Sequence, residues 1–467
     1  MMVLLAGQSL SGSNARASNQ TAPAVAKPAA RAISKPSTYA WGTFTQIASG
    51  YFHNCALNST GAAYCWGSNR DGLIGDGTTT DRSSPVAVSM PAGVTFTAIV
   101  AGVSQTCALN TVGAAYCWGG DNYGGLGNGT TGSVSTIPVA VTMPAGVSFS
   151  SLTAGHYHTC ALTTTGTAYC WGYNNNGQLG NDTYTDSSVP VAVSMPAGVT
   201  FTAISAGQSH TCALTTTGTA YCWGLNIYGQ LGKGDSNLGS KTPAAVTMPA
   251  GVSFTSLTVG DMHTCALNSA GTAYCWGTNQ YGQLGNGTNT NQTVPVAITM
   301  PVGESFAAIK ASYHFTCALT NTGNAYCWGE NNRGQLGNGS GLGDRNTPGA
   351  VTMPASVSFT ALSAVSNFAC ALTNTGTAYC WGSNVYGTLG LCDGADRYIP
   401  TLVSGCAPAA TDTPTASNTS TPSRTNTRSA TAVPSTDPWG TFTQVSTGAY
   451  HSCALNSTGA AYCWGEG

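Results

Sequence analysis

From Phe201 to Gly251 the apolar and polar positions fall into four short runs, F-T-A-I-S-A, H-T-C-A-L-T, T-A-Y-C-W-G and P-A-A-V-T-M-P. β-Branched, aromatic and small apolar residues fill the runs, and Gly, Asn and Pro separate them, which is how short strands are bounded. No run keeps a helical period over the ~11 residues needed to argue for a helix. The pattern therefore predicts four antiparallel strands joined by tight turns.

The same four runs recur along the chain. C-A-L is followed eight residues later by C-W-G, and the first cysteines stand at Cys55, Cys107, Cys160, Cys212, Cys265, Cys317 and Cys370, in steps alternating between 52 and 53. A period this long and regular marks a repeat architecture in which no unit buries its faces alone. Four antiparallel strands per unit make a propeller blade. The expected fold is all-β, a seven-bladed β-propeller of four-stranded antiparallel blades.

Composition agrees. Sixty glycines supply positive φ in turns, and ten Trp and twenty Tyr supply core volume that a disordered chain lacks. Only 6% of the 467 residues are charged and the net charge is −2, so nothing draws the chain to nucleic acid or an anionic membrane. No stretch approaches the ~18 apolar residues of a membrane-crossing helix.

The string from Ala206 to Gly232, A-G-x-x-H-T-C-A-L-T-T-T-G-T-A-Y-C-W-G-x-N-x-x-G-Q-L-G, resembles the repeat of the RCC1 (regulator of chromosome condensation) superfamily. The resemblance runs from about Trp41 to Cys406. That family includes chromatin-bound nucleotide exchange factors and a bacterial propeller that inhibits β-lactamases. The resemblance is specific for fold and weak for activity, because the shared residues are those that build blades. A cysteine pair in each repeat is not general to the family and is similar to a secreted bacterial variety of it.

Those pairs can be placed by counting. Cys55 and Cys65 flank the turn Asn58-Ser59-Thr60-Gly61, and a three-residue loop with Gly in the left-handed position pairs Asn58 with Ala62. Leu57 then faces Ala63, Ala56 faces Tyr64, and Cys55 faces Cys65 at a non-hydrogen-bonded position, with Cα atoms ~4.5 Å apart. A disulfide tolerates that separation. The same register predicts Cys107–Cys117, Cys160–Cys170, Cys212–Cys222, Cys265–Cys275, Cys317–Cys327, Cys370–Cys380 and Cys453–Cys463. Reduced core thiols and metal ligands are the alternatives, although opposed pairs on one hairpin lack the four-ligand clustering that zinc requires. Cys392 and Cys406 fall outside the repeat and are expected to pair with each other, locking the last strand of the ring. Disulfides in this number imply an oxidising compartment.

The flanks divide the chain into four segments. Residues 1–40 read as a disordered leader or the remnant of a signal peptide, with Met1–Ala6 apolar but lacking a basic start. Residues 41–406 are the propeller, and 407–438 form a Thr/Pro/Ser-rich linker. At 439–467 the repeat restarts. Trp439–Gly465 matches Trp41–Gly67 at all but six of 27 positions, and the expectation is that it opens a second propeller.

Candidate chemistry is sparse. No Ser-His-Asp set, phosphate-binding loop or H-E-x-x-H string occurs, and glutamate is confined to Glu304, Glu330 and Glu466. His53, His158, His210, His263 and His451 share one slot two residues before the first cysteine, with Gln105, Phe315 and Phe368 in that slot elsewhere. One residue per blade points to a role in the blade, such as bonding a neighbouring strand, ahead of a ligand or catalytic role. The Trp of C-W-G and the Leu of G-Q-L-G read as packing. Asp76-Gly77 and Asp393-Gly394 suit turns better than calcium loops. No catalytic residue, metal or cofactor is called for.

Function must then lie in what differs between blades. One end of the ring repeats T-T-T-G or N-S-T-G and M-P-A-G-V almost unchanged. The other carries Tyr51-Phe52, Val103-Ser104, His156-Tyr157, Gln208-Ser209, Asp261-Met262, Tyr313-His314 and Ser366-Asn367. The loop after C-W-G adds Tyr123, Asn175, Tyr228, Tyr281, Arg333 and Tyr386. Tyr, Met and Arg at a rim are the residues that make interface hot spots. The expected function is a non-catalytic, exported, monomeric binding module that recognises a protein or a glycan, at the cell surface or outside it, through this end. A guanine-nucleotide exchange role and a structural stalk role are the alternatives.

Overall fold

A computed structural model describes residues 44–402, apart from 52, 238, 375–377, 385–388 and 390–394, and the strands Phe442–Thr447, His451–Asn456 and Ala461–Gly465. Phe52, Tyr386, Cys392, Cys406, Asp393, the leader and the linker lie outside the described residues.

Seven four-stranded antiparallel sheets follow one another along the chain, each with its strands in sequence order. In the fourth blade these are Phe201–Ala206, His210–Thr215, Ala220–Gly224 and Ser240–Ala245. The second and third strands pair as the cysteine spacing requires: Cys55 faces Cys65, Ala56 faces Tyr64 and Leu57 faces Ala63. Asn58 N–H donates to Ala62 O at 3.0 Å, closing the turn. The cysteines of every four-stranded blade are joined as disulfides with Cα atoms 4.1 Å apart. Cys453 is also disulfide-bonded, and its position lies opposite that of Cys463 in the same register.

The apolar core lies between blades. Cys55, Cys65, Leu57, Ile74 and Val88 of the first blade share one buried cluster with Phe96, Ile99, Ala108 and Trp118 of the second. Each later interface up to the sixth and seventh blades repeats this arrangement. Trp118 is fully buried, stacks on Phe96 and donates its indole N–H to Leu73 O in the preceding blade at 2.8 Å. Only glycine allows that approach. Gly75 has φ +75°, and a Cβ there would stand 2.8 Å from Trp118 Nε1.

The recurrent histidine is a second tie between blades. His158 Nε2 lies 2.9 Å from Thr211 Oγ1, His210 from Thr264 and His263 from Thr316, each threonine belonging to the next blade. The hydroxyls of Thr211, Thr264 and Thr316 donate onward to the carbonyls of Gln178, Gln230 and Gln283. They therefore accept from the imidazole, which fixes these rings as the Nε2–H tautomer. Where phenylalanine replaces the histidine, the threonine is lost too, and Phe315 shares a buried cluster with Ala369 in its place. Gln105 keeps the threonine, its Nε2 donating to Thr159 Oγ1 at 3.4 Å and to His158 O at 3.2 Å.

The three strands of the last repeat form a separate sheet. Phe442–Thr447 lies against Phe359–Val365 and Phe368–Thr373 of the seventh blade. It also lies against Phe44–Ser49 of the first, while His451–Asn456 lies against Phe44–Ser49 and His53–Asn58.

Candidate binding face

From the second blade to the seventh, two variable loops are brought together. The backbone N–H of the residue after C-W-G donates to a carbonyl in the turn between the first and second strands. Tyr173 bonds Tyr157 O at 2.9 Å, Leu225 bonds Ser209 O at 2.9 Å, Thr278 bonds Met262 O at 2.9 Å and Glu330 bonds His314 O at 3.0 Å. Sequence variation in either loop is therefore presented on one surface. The opposite end is stitched differently and hardly varies. There Phe149 N–H meets Gly113 O of the preceding blade and Phe201 N–H meets Gly166 O.

At the variable end the turns of all seven four-stranded blades converge on a cavity of about 190 Å³ at the mouth of the central channel. Each turn lines it with two or three residues, the last of them Tyr51, Val103, His156, Gln208, Asp261, Tyr313 and Ser366 in blade order. Neighbouring turns are bonded through their backbones, His156 N–H to Gly207 O at 3.3 Å and Asp261 N–H to Ser312 O at 3.4 Å. Side chains from non-adjacent blades meet in the mouth. His156 Nε2 of the third blade lies 3.4 Å from Asp261 Oδ1 of the fifth, and Tyr51 of the first meets the His156 ring edge-on at 6.0 Å.

From there aromatic rings run outward to the rim. The ring centroids of His156 and Tyr157 are 6.3 Å apart, those of Tyr157 and Tyr123 5.6 Å, and those of Tyr123 and Tyr173 4.7 Å. On the other side of Asp261, the Tyr313 and His314 ring centroids are 3.9 Å apart, and those of His314 and Tyr281 are 4.8 Å apart. Tyr123, Tyr157 and Tyr313 remain more than a third exposed despite these contacts. Edge-to-face and offset packing of this kind stiffens aromatic side chains and leaves broad apolar faces for a ligand.

The electrostatics of the mouth lean negative. Burial raises the Tyr313 hydroxyl pKa, and Asp261, Glu330 and Tyr281 raise it further. Burial raises the carboxyl of Glu330, with Asp344 adding to it. His314 is lowered by burial, against a pull upward from Asp261. The blade histidines differ. Burial first, then neighbouring imidazoles, hold His158, His210 and His263 at about 3, so they stay neutral.

The structure distributes the remaining residues expected at this face along the rim. Tyr228 is exposed, and Met262 accepts a contact from Gln230 Nε2 at 3.6 Å. Arg333 is exposed and pairs with Asp396 at 3.4 Å. Two contributors were missed in the sequence, Tyr173 and Glu330. Both occupy the position between the Gly and the Asn of the G-x-N string, where Ser68, Leu225, Thr278 and Ser383 stand in other blades, so variation there was the available signal. The carboxylate of Asp76 is taken up by turn bonds from Thr78 and an ion pair with Arg82, as turn chemistry requires. Among the described residues no three His, Cys, Asp or Glu side chains gather as a metal site, and no helix is long and apolar enough to cross a membrane.

Comparison with known proteins bears on the fold and the family. An RCC1-like domain model matches residues 185–421, and regulator of chromosome condensation (RCC1) repeats match 44–73, 60–109, 113–162, 149–178 and 442–467. The ultraviolet-B receptor UVR8 of Arabidopsis thaliana is 32% identical over 358 residues, which span 76% of this chain and 81% of the receptor. Among solved structures, human WBSCR16 superposes with a TM-score of 0.61 at 23% identity, covering 69% of this chain and 85% of its own. Prp20p of Saccharomyces cerevisiae, described with its binding to Gsp1p and histones, gives 0.57 at 22% identity, covering 68% and 80%. By its repeats, its blade geometry and these matches, the chain belongs to the RCC1 repeat family.

Proposed function

We propose that this chain is a non-catalytic recognition module that acts outside the reducing cytosol and holds a protein ligand on the variable end of its propeller. The observation that carries the reading is the continuous row of rings from Tyr51 through His156, Tyr157 and Tyr123 to Tyr173. It is built on loops that differ from blade to blade, while the other end stays uniform. Exposed tyrosines on a rigid scaffold are what protein interfaces use as anchors. A disulfide in each four-stranded blade supports a site of action in an oxidising compartment.

A catalytic reading finds little to build on. The recurrent histidines are committed to bonds between blades, and their low pKa removes them from proton transfer near neutrality. A nucleotide-exchange reading rests on the family name and on no residue described above.

The test is affinity capture from the host's surface and exported proteins. Wild type is compared with Tyr123→Ala/Tyr157→Ala/Tyr173→Ala and with Thr164→Ala/Thr216→Ala at the uniform end. A partner retained by wild type and the second variant but lost by the first is the expected result. Equal retention by all three would overturn the assignment of the face.

A further inference from the structure

We infer that the channel mouth is a receptor for one basic side chain, a lysine or arginine presented by the protein ligand, with Asp261 as its counter-charge. This rests on the recognition reading above and gives it a chemistry.

The observation behind it is an uncompensated carboxylate. Asp261 is 9% exposed, and its Oδ2 is buried with no hydrogen-bond partner. Its Oδ1 has only the His156 contact at 3.4 Å, beyond strong hydrogen-bond reach. A buried carboxylate oxygen without a donor is costly, and a cation with N–H donors removes that cost directly. The walls suit the same guest. Tyr51 and Tyr313 line the cavity beside Asp261, and tyrosine faces attract cations. Size argues for a single side chain, because 190 Å³ falls below the ~300–1,000 Å³ of pockets that enclose whole small molecules.

Among the described residues the chain supplies no cation of its own there, and no lysine or arginine lines the cavity. Lys310, one residue before the lining residue Ala311, is the only charged residue on the first strands of the blades. It forms no ion pair with Asp261 among the described residues, and its lowered pKa has desolvation as its cause, with no carboxylate pulling it back up. Among the described residues the other charged and titratable groups around the mouth are Glu330, Asp344, His156, His314 and the hydroxyls of Tyr51, Tyr281 and Tyr313. Two are acids, and His314 is held toward its neutral form.

The probes are Nα-acetyl-lysine amide, Nα-acetyl-arginine amide and the neutral analogue Nα-acetyl-norleucine amide, followed by ligand-observed NMR on the intact chain. The two basic amides are expected to bind in the millimolar range, and norleucine amide at least tenfold more weakly. Asp261→Asn should weaken the basic amides at least tenfold while leaving the thermal midpoint within a few degrees. Doubling the ionic strength should weaken wild-type binding and leave the variant unaffected. Equal binding of lysine and norleucine amides, or full binding to Asp261→Asn, would overturn the inference. If Asp261→Asn still captures the protein partner and the tyrosine variant does not, the recognition face stands and the cation receptor falls. If neither variant changes capture, both readings fall.

Discussion

Acid should unfold this propeller sooner than its carboxylates alone would require, because three buried imidazoles refuse protons. His158, His210 and His263 sit at about 3 in the folded chain, against ~6.5 in an unfolded one. Between these values the unfolded chain binds protons that the folded chain excludes. Stability is therefore fully present above about pH 7, falls as the pH drops through 6.5, and stops falling on this account only near pH 3. At pH 5 each imidazole contributes a loss of about 2 kcal/mol, and the three together about 6 kcal/mol. That is comparable to the whole stability of many domains. The assay is guanidinium unfolding at pH 7.5, 6.5, 5.5 and 5.0, read by tryptophan fluorescence with disulfides intact. The control borrows a solution the chain already uses. His263→Phe with Thr316→Ala reproduces the Phe315–Ala369 pairing found between the sixth and seventh blades. This double variant should recover about 2 kcal/mol at pH 5 relative to its own value at pH 7.5. A loss between pH 7.5 and 5 that is absent in wild type, or unchanged in the double variant, would refute the reasoning.

Three further outcomes are expected. Asp121 occupies the place held by Asn69, Asn174 and Asn279 in other blades, where the amide donates to loop carbonyls. Burial raises its carboxyl pKa, so Asp121→Asn should stabilise the fold by about 1 kcal/mol at pH 7 in the same unfolding assay. Opening one disulfide with Cys212→Ala/Cys222→Ala should cost up to about 3 kcal/mol, since it closes a short loop, and should leave the far-ultraviolet circular dichroism of the ring unchanged. Removal of residues 439–467 should lower the thermal midpoint, because their strands lie against both the seventh and the first blades; an unchanged midpoint would favour the start of a separate propeller.

Much of this structure was legible in the sequence because the repeat makes local counting reliable. The ten-residue spacing of Cys212 and Cys222 around a glycine turn sets which residues face each other, and the register follows strand by strand. The role of the histidine was legible for the same reason, since a residue present once per blade points to something every blade needs. The central site was only partly legible. His156 and Asp261 are 105 positions apart and belong to blades that are not neighbours, so only the curvature of the closed ring brings them within 3.4 Å. The Asn174 hub was overlooked because an asparagine in a turn reads as turn chemistry. Its burial and its bonds to Thr183 O, Thr185 O and Leu179 N appear only in three dimensions. Tyr173 was overlooked because it adjoins the invariant C-W-G, which draws the eye to packing.

The central claim is that this is a ring of disulfide-closed blades carrying its recognition face outside the reducing cytosol. It is tested most directly by counting free thiols on protein taken from its native host, by alkylation under denaturing conditions without reductant, followed by intact mass. The account predicts that nearly all of the eighteen cysteines are blocked. Free alkylation of the blade pairs would contradict it, leaving Cys55, Cys65 and their counterparts as reduced core residues of a protein that works inside the cell.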